Sequence, residues 1–216
     1  MMEFTLWDFA RNLLLAARWT LLLSGIAFAG GVTLGLVLLA IRVSKYKRVH
    51  IAIKLYVELF QSTPLLMQLF LVFFGLPMLG FDVPAWVAAS LCLTLYASAY
   101  LTDIWRGCVE AIPRGQWDAS ASLGLRYLAQ LRFVILPLAL RTAIPPTVGF
   151  MVQLVKGTAL ASIIGFSEVT RTAQILTNAT FQPFIIFGMA ALIYFIICFP
   201  LTVWARRMEQ HLSTER

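Results

Sequence analysis

The sequence predicts an all-α integral membrane protein of about five spanning helices, and three observations carry that prediction. Of 216 residues, 60% are hydrophobic and 12% charged, with a mean hydropathy of +0.84, which is more apolar surface than one water-soluble core hides. The apolar residues gather into runs close to the roughly 20 that a helix needs to cross a bilayer. The basic residues gather between alternate runs, so the net charge of +7 reads as a positive-inside bias. A nucleic-acid partner is not expected, because a phosphate-binding patch needs exposed soluble surface that this composition barely provides. Cys92, Cys108 and Cys198 lie in or beside apolar runs without paired or ligand-type spacing, so neither a disulfide nor a metal framework is expected.

Taken in order, residues 1–18 mix Phe4, Trp7, Leu14 and Ala17 with Asp8, Arg11 and Asn12, a pattern that suits an amphipathic helix lying in the outer interface. The first span covers 19–41, where Gly25, Gly30, Gly31 and Gly35 thin one side and let a neighbouring helix approach. Ala27-Phe28-Ala29 imitates a signal-peptidase site, yet Met1 to Asp8 carries two acids and no base, and the apolar run continues to Ile41; no cleaved leader is expected. The second, third and fifth spans cover 55–77, 84–105 and 184–204. The fourth, 142–155, is short and holds Pro145-Pro146, so it must gain length from 133–140 and from the residues after Lys156.

With that assignment Arg42, Lys45, Lys47, Arg48 and Lys54 share a side with Arg106, Arg114, Arg126, Arg132 and Arg141 and with Arg206, Arg207 and Arg216. Of the 17 Lys and Arg residues, only Arg11, Arg18 and Arg171 fall opposite, with Lys156 ambiguous. The N-terminus is therefore expected outside and the C-terminus in the cytoplasm. No repeat, low-complexity tract or soluble domain interrupts the chain, so residues 1–216 read as one domain, whose longest polar stretch is the cytoplasmic loop 110–137 between the third and fourth spans.

In that loop Pro113 and Gly115 punctuate the chain, a short helix can follow from Gln116, and Gly124 can break or cap it. Trp117, Ala121 and Leu125 recur every four residues as an apolar face, and Asp118 near the helix start complements its dipole. A small amphipathic helix carried outside the bilayer by two longer arms is shaped to lie in a groove of another protein and pass force into the spans. The loop resembles the signature of ABC importer permeases: E-A-A, three residues, G, nine residues, I-x-L-P. Here it reads Asp118-Ala119-Ser120, three residues, Gly124, nine residues, Val134-Ile135-Leu136-Pro137, with conservative departures at Asp118, Ser120 and Val134. Val57-Glu58-Leu59-Phe60 with Thr63-Pro64-Leu65-Leu66 is similar to the second-span motif of the polar amino-acid permeases, and Glu110-Ala111-Ile112-Pro113-Arg114-Gly115-Gln116 to the run before their coupling helix.

The resemblance implies the type I ABC importer permease fold, a bacterial inner-membrane location, and a coupling role for Trp117, Asp118, Ala119, Ser120, Ala121, Gly124 and Leu125 against an ATPase subunit. It also implies a second permease copy or homologous chain and an extracytoplasmic amino-acid-binding protein. ATP and Mg would sit on the ATPase, with no cofactor on this chain, which lacks any G-x-x-x-x-G-K-[ST] loop.

Polar residues within spans mark a candidate pathway, since a central charge costs about 2.5–3.5 kcal/mol even on a lenient scale. Asp103 and Arg106, three apart on one helix, are expected to pair, and Glu58 stands either as a partner of Lys54 or in the pathway. Gln61, Thr63 and Pro64 follow, where the proline frees a backbone carbonyl and a locally opened helix is expected. Ser98 in the third span joins the set. Gln153, Lys156, Gly157, Thr158 and Ser162 interrupt the fourth span; alternatively, Lys156 snorkels outward and Gly157 ends the helix. By resemblance the stretch matches a segment reading K-D-T-S-L near the substrate path. Gly157 stands where that segment has its acid, which fits an acidic or neutral substrate, or a half whose partner holds the site.

Two other function classes compete. A membrane protease or acyltransferase would need a catalytic constellation, but His50 and His211 are the sole histidines and neither sits in one. An ion-coupled secondary transporter or channel subunit would depend on buried carboxylates and be indifferent to the loop helix.

Overall fold

The computed structural model describes residues 5–42 and 47–214, all of whose regular elements are helical; Met2 to Phe4, Lys45 and Arg216 of the readings above lie outside it. Helix α1, Leu6–Arg42, begins at a reciprocal cap. The Thr5 amide and hydroxyl donate to Asp8 Oδ2 at 2.9 and 2.7 Å, and the Asp8 amide donates back to Thr5 Oγ1 at 3.3 Å. No proline follows, so nothing separates the expected interfacial helix from the first span, and α1 runs unbroken through both. One side of its first turns is packed inward: Phe9, Leu13, Ala16 and Ala17 are buried against Val169, Ala173, Ile186 and Ala190 further along the chain.

The expected second span, 55–77, is two helices, α2 (Lys47–Ser62) and α3 (Leu65–Met78), bent by 105°. Pro64, at φ −63° and ψ 133°, has no N–H and cannot continue the helix. The third span is α4, Ala85–Glu110. It runs parallel to α1, because a Cβ on Gly30 would meet Thr94 and one on Gly35 would meet Leu101. Parallel neighbours require the chain between them to recross the layer, and the bent α2–α3 pair makes that crossing, the fifth beside the four long apolar helices.

After α4 comes α5, Arg114–Ser122, and then a helical run from Tyr127 to Ser162. This run comprises α6 (Tyr127–Gln130), a π-helical turn at Leu131–Ile135, α7 (Leu136–Gly157) and a 3-10 turn at Thr158–Ser162. The fourth span is thus far longer than 142–155, and the last third of the loop 110–137 is already helix. The widened turn lies just ahead of Pro137, whose ring and missing N–H disrupt the regular ladder. Pro145 and Pro146 sit inside α7 without ending it. Helix α7 runs antiparallel to α4, with Gln153 bonded to Tyr96 and Thr147 to Trp105. Helix α8, Val169–Thr180, and the final span α9, Pro183–Thr214, complete the fold. The main core lies where α1, α4 and α7 meet, around Leu23, Ala27, Leu93, Ala97 and Leu154.

Candidate functional site

Two features stand out, a short helix on an arm and a polar face at membrane depth. The short helix is α5, which starts two residues earlier than the sequence suggests, directly after Pro113, and ends at Ser122. Gly124 then takes φ +76°, the left-handed position after a helix end, and its amide donates to Ala121 O at 2.9 Å. That turn ejects Leu125 from the helix, so the expected Trp117–Ala121–Leu125 face does not form. The inward side is Trp117, stacked on Tyr127 at 6.0 Å and 16°, with the buried Ser120, whose hydroxyl donates to Trp117 O at 2.8 Å. Trp117 packs on a small core of Ile112, Leu131, Ile135 and Ala139, which ties α5 to both long arms. Asp118, Ala119, Ala121 and Gly124 point outward and Leu123 is 79% exposed, so the outer face is uncovered by this chain.

The polar face begins at the α2–α3 break. The Thr63 hydroxyl donates to Leu59 O at 2.7 Å, and Gln68 reaches back with Nε2 to Phe60 O and Thr63 O, both at 3.0 Å, and to Thr63 Oγ1 at 2.8 Å. One amide thereby satisfies carbonyls that Pro64 and the bend release. Leu65, just past the break, lies against Gly157. A Cβ there would sit 3.2 Å from Leu65 Cδ2, so the fold brings together the two segments singled out from sequence, Gln61 to Pro64 and Gln153 to Gly157. Gln61, Pro64, Gln153 and Lys156 are exposed on this chain, with Gln153 Nε2 donating to Tyr96 Oη at 3.0 Å and Gln61 Nε2 to Asp103 Oδ2 at 3.4 Å. Behind them Tyr100 stacks on Phe150 at 5.4 Å and 17°. Lys156 also lines a cavity of about 700 Å³ between α7 and α9 with Gly149, Val152, Arg206 and Glu209.

Other expected pathway residues sit elsewhere. Ser98 is fully buried, bonded to Tyr56 Oη at 2.7 Å and donating to Leu95 O at 2.8 Å, in the zone where α1 and α4 touch. Thr158 and Ser162 are buried too, and Thr158 donates to Val155 O at 2.7 Å. Gly157 does not stop the helix, which tightens into the 3-10 turn. Glu58 is exposed and pairs with Lys54 at 3.5 Å, a surface i,i+4 pair. Asp103 pairs with Arg106 at 2.8 Å as expected, and Arg106 also binds Glu110.

Gln68 and Glu168 also hold the site, and neither belongs to a motif in the sequence. The position of Gln68, four residues after a proline and alone in an apolar run, was the available signal. Glu168 is fully buried with no cation in contact among the described residues, and it caps α8: Oε1 accepts from the Arg171 amide at 2.8 Å and Oε2 from the Tyr194 hydroxyl at 2.6 Å. Thr20 of α1 joins it by accepting from the Val169 amide at 3.3 Å. Burial pushes the Glu168 carboxyl above its ordinary value, opposed by the hydrogen bonds from Tyr194 and the α8 amides.

Residues 15–214 match the family of binding-protein-dependent transport system inner membrane components. A probable amino-acid ABC transporter permease protein of Bacillus subtilis is 33% identical over 192 residues, spanning 89% of this chain and 85% of its own length. The glutamine transport system permease protein of Escherichia coli is 32% identical over 211 residues, 96% of each chain. Among solved structures, an amino acid ABC transporter crystallised with histidines superposes with a TM-score of 0.90 at 29% identity, covering 97% of this chain and 100% of that one. An inward-facing methionine ABC transporter shares the fold at a TM-score of 0.69 and 20% identity, covering 98% of this chain and 99% of that one. With the family model spanning nearly the whole chain, and a bent second span and an arm-mounted helix in place, this chain belongs to the binding-protein-dependent transport system inner membrane components and is the permease component of an ABC importer.

Proposed function

We propose that the chain is the transmembrane half of an importer for polar amino acids in a bacterial inner membrane, with its N-terminus outside and α5 and its C-terminus in the cytoplasm. A separate ATPase dimer grips the outer face of α5, where Asp118, Ala119 and Ala121 provide the contact and Gly124 fixes the helix end. ATP and Mg bind to that ATPase; this chain holds no nucleotide and performs no chemistry. A second permease copy or homologous chain completes the pathway, and an extracytoplasmic amino-acid-binding protein delivers the solute. The observation that carries this reading is the uncovered outer face of α5, seated by Trp117 on two spanning helices, which is the geometry of a handle rather than of an enzyme site.

Gln61, Pro64, Gln153 and Lys156 are exposed at membrane depth, where polar groups must meet protein or water rather than lipid. We assign them to the pathway, with Thr63 and Gly157 shaping it and Ser98, Thr158 and Ser162 packing behind it. Glu58, paired outside the break, belongs to the mouth. Lys156 is a cation on this face and no acid stands beside it at Gly157, which favours an acidic or neutral amino acid for this half. The test is co-purification with the neighbouring ATPase: Asp118→Lys and Gly124→Trp are expected to abolish it and transport together. Transport that continues without ATP, or with these variants, would return the ion-coupled alternative.

A further inference from the structure

At the α5 end of the bundle, two cavities share a wall. One, of about 620 Å³, opens between α1, α2, α4 and the α5–α6 arm, and its polar lining is Arg42, His50, Lys54, Arg106 and Glu110. The other, of about 490 Å³, is a groove between α1, α4 and α7. Leu39 and Val109 line both, so the basic mouth and the groove adjoin.

The groove is apolar along its length. Leu36 and Val32 form one wall, Leu140 and Ile144 the other, and Trp105 closes the back. Its one polar side chain, Thr147, is already engaged, accepting from Trp105 Nε1 at 2.9 Å and donating to Ala143 O at 2.7 Å. From Phe28 to Leu39 the α1 wall rises about 16 Å, against roughly 15 Å for the hydrocarbon of one leaflet.

The mouth has an unmet demand. Lys54 is paired with Glu58, and Arg106 with Asp103 and Glu110. Arg42 Nη1 is shielded from solvent, and among the described residues it has no hydrogen-bond partner. A guanidinium nitrogen in that condition calls for an oxygen acceptor that the described residues do not supply. A phosphate oxygen meets it in the geometry that Arg recognises.

We propose that an anionic phospholipid of the leaflet on the α5 side occupies this double cavity, its phosphate on Arg42 and one acyl chain in the groove. The occupant locks α1 against α7 beside the arm that carries α5, so lipid composition tunes how firmly that arm is held. This inference is independent of the solute transported.

The test uses the full-length purified chain, delipidated in detergent and titrated with phosphatidylglycerol, phosphatidylcholine or inorganic phosphate, with bound lipid counted by native mass spectrometry. Phosphatidylglycerol is expected to bind about fivefold tighter than phosphatidylcholine, the preference of roughly one basic contact. Arg42→Gln should bring the two lipids level, and Ala143→Phe, which fills the groove, should weaken both. Should either variant fail to fold, the wild-type preference must still shrink with added salt. Equal binding of the two lipids by the wild type, an unchanged preference in Arg42→Gln, or saturation by inorganic phosphate alone would overturn the proposal.

Discussion

Gly31 shows how much one missing side chain decides. A Cβ there would sit 2.5 Å from the Ala97 Cβ and 3.3 Å from the Ser98 amide nitrogen, so α1 and α4 would have to part, whereas a Cβ on Gly25 meets nothing. Gly31→Val is expected to cost about 1–3 kcal/mol, seen as a lowered thermal midpoint in detergent, while Gly25→Ala leaves the midpoint level or slightly raised. Glu168 is a second such position. Its carboxyl is raised by burial above the ordinary 4.5, so the folded chain keeps a proton that the unfolded chain has released. The contribution of this group to stability is therefore greatest below pH 4.5 and falls as pH climbs from there through the raised folded value. Glu168→Gln should flatten that slope in pH-dependent unfolding and keep the cap. Glu168→Leu should cost about 2–4 kcal/mol below pH 4.5 and less as pH climbs from there, because the Arg171 amide and Tyr194 hydroxyl lose their acceptor.

Among the elements, the α2–α3 break and α5 divide the sequence's successes from its failures. Pro64 announced a disturbance, and the freed carbonyl is where it was expected. The 105° bend was not legible, because its direction depends on Gln68 reaching back across it and on Leu65 finding room beside Gly157, contacts separated in sequence. Gln68→Leu is expected to orphan Phe60 O and Thr63 O and to lower the thermal midpoint by several degrees, with Gln68→Glu not rescuing it, since a carboxylate cannot donate. A normal midpoint in Gln68→Leu would show that the proline alone holds the bend. In α5 the cap at Gly124 was readable from its residue type. The face was misassigned because a four-residue periodicity assumes a helix long enough to reach Leu125, and the glycine ends it first.

On the scale of the molecule, the exposed surface is of two kinds. Phe195, Ile196 and Phe199 on α9 are 57%, 60% and 52% exposed and suit lipid. Gln61, Gln153 and Lys156 are exposed as well and do not, which is why the proposed function sets this face against a partner chain and water. In the assembled importer, built on a cysteine-free background, Gln153→Cys is expected to react with a water-soluble maleimide at least tenfold faster than Phe195→Cys. Equal, slow labelling of both would remove Gln153 from any wet pathway.

What the sequence alone determined was class and order: apolar run lengths set the number of crossings, and proline and glycine marked where helices change. These are local or additive quantities, summed over near neighbours. The tertiary structure decided which polar residues share a face, why residues 6–18 join α1 rather than lie apart, and how Glu168 is buried on hydrogen bonds from Tyr194 and the Arg171 amide. Each of those depends on a specific meeting of residues up to 149 positions apart, such as Val169 with Thr20, and no local pattern encodes which of many possible meetings releases the most free energy.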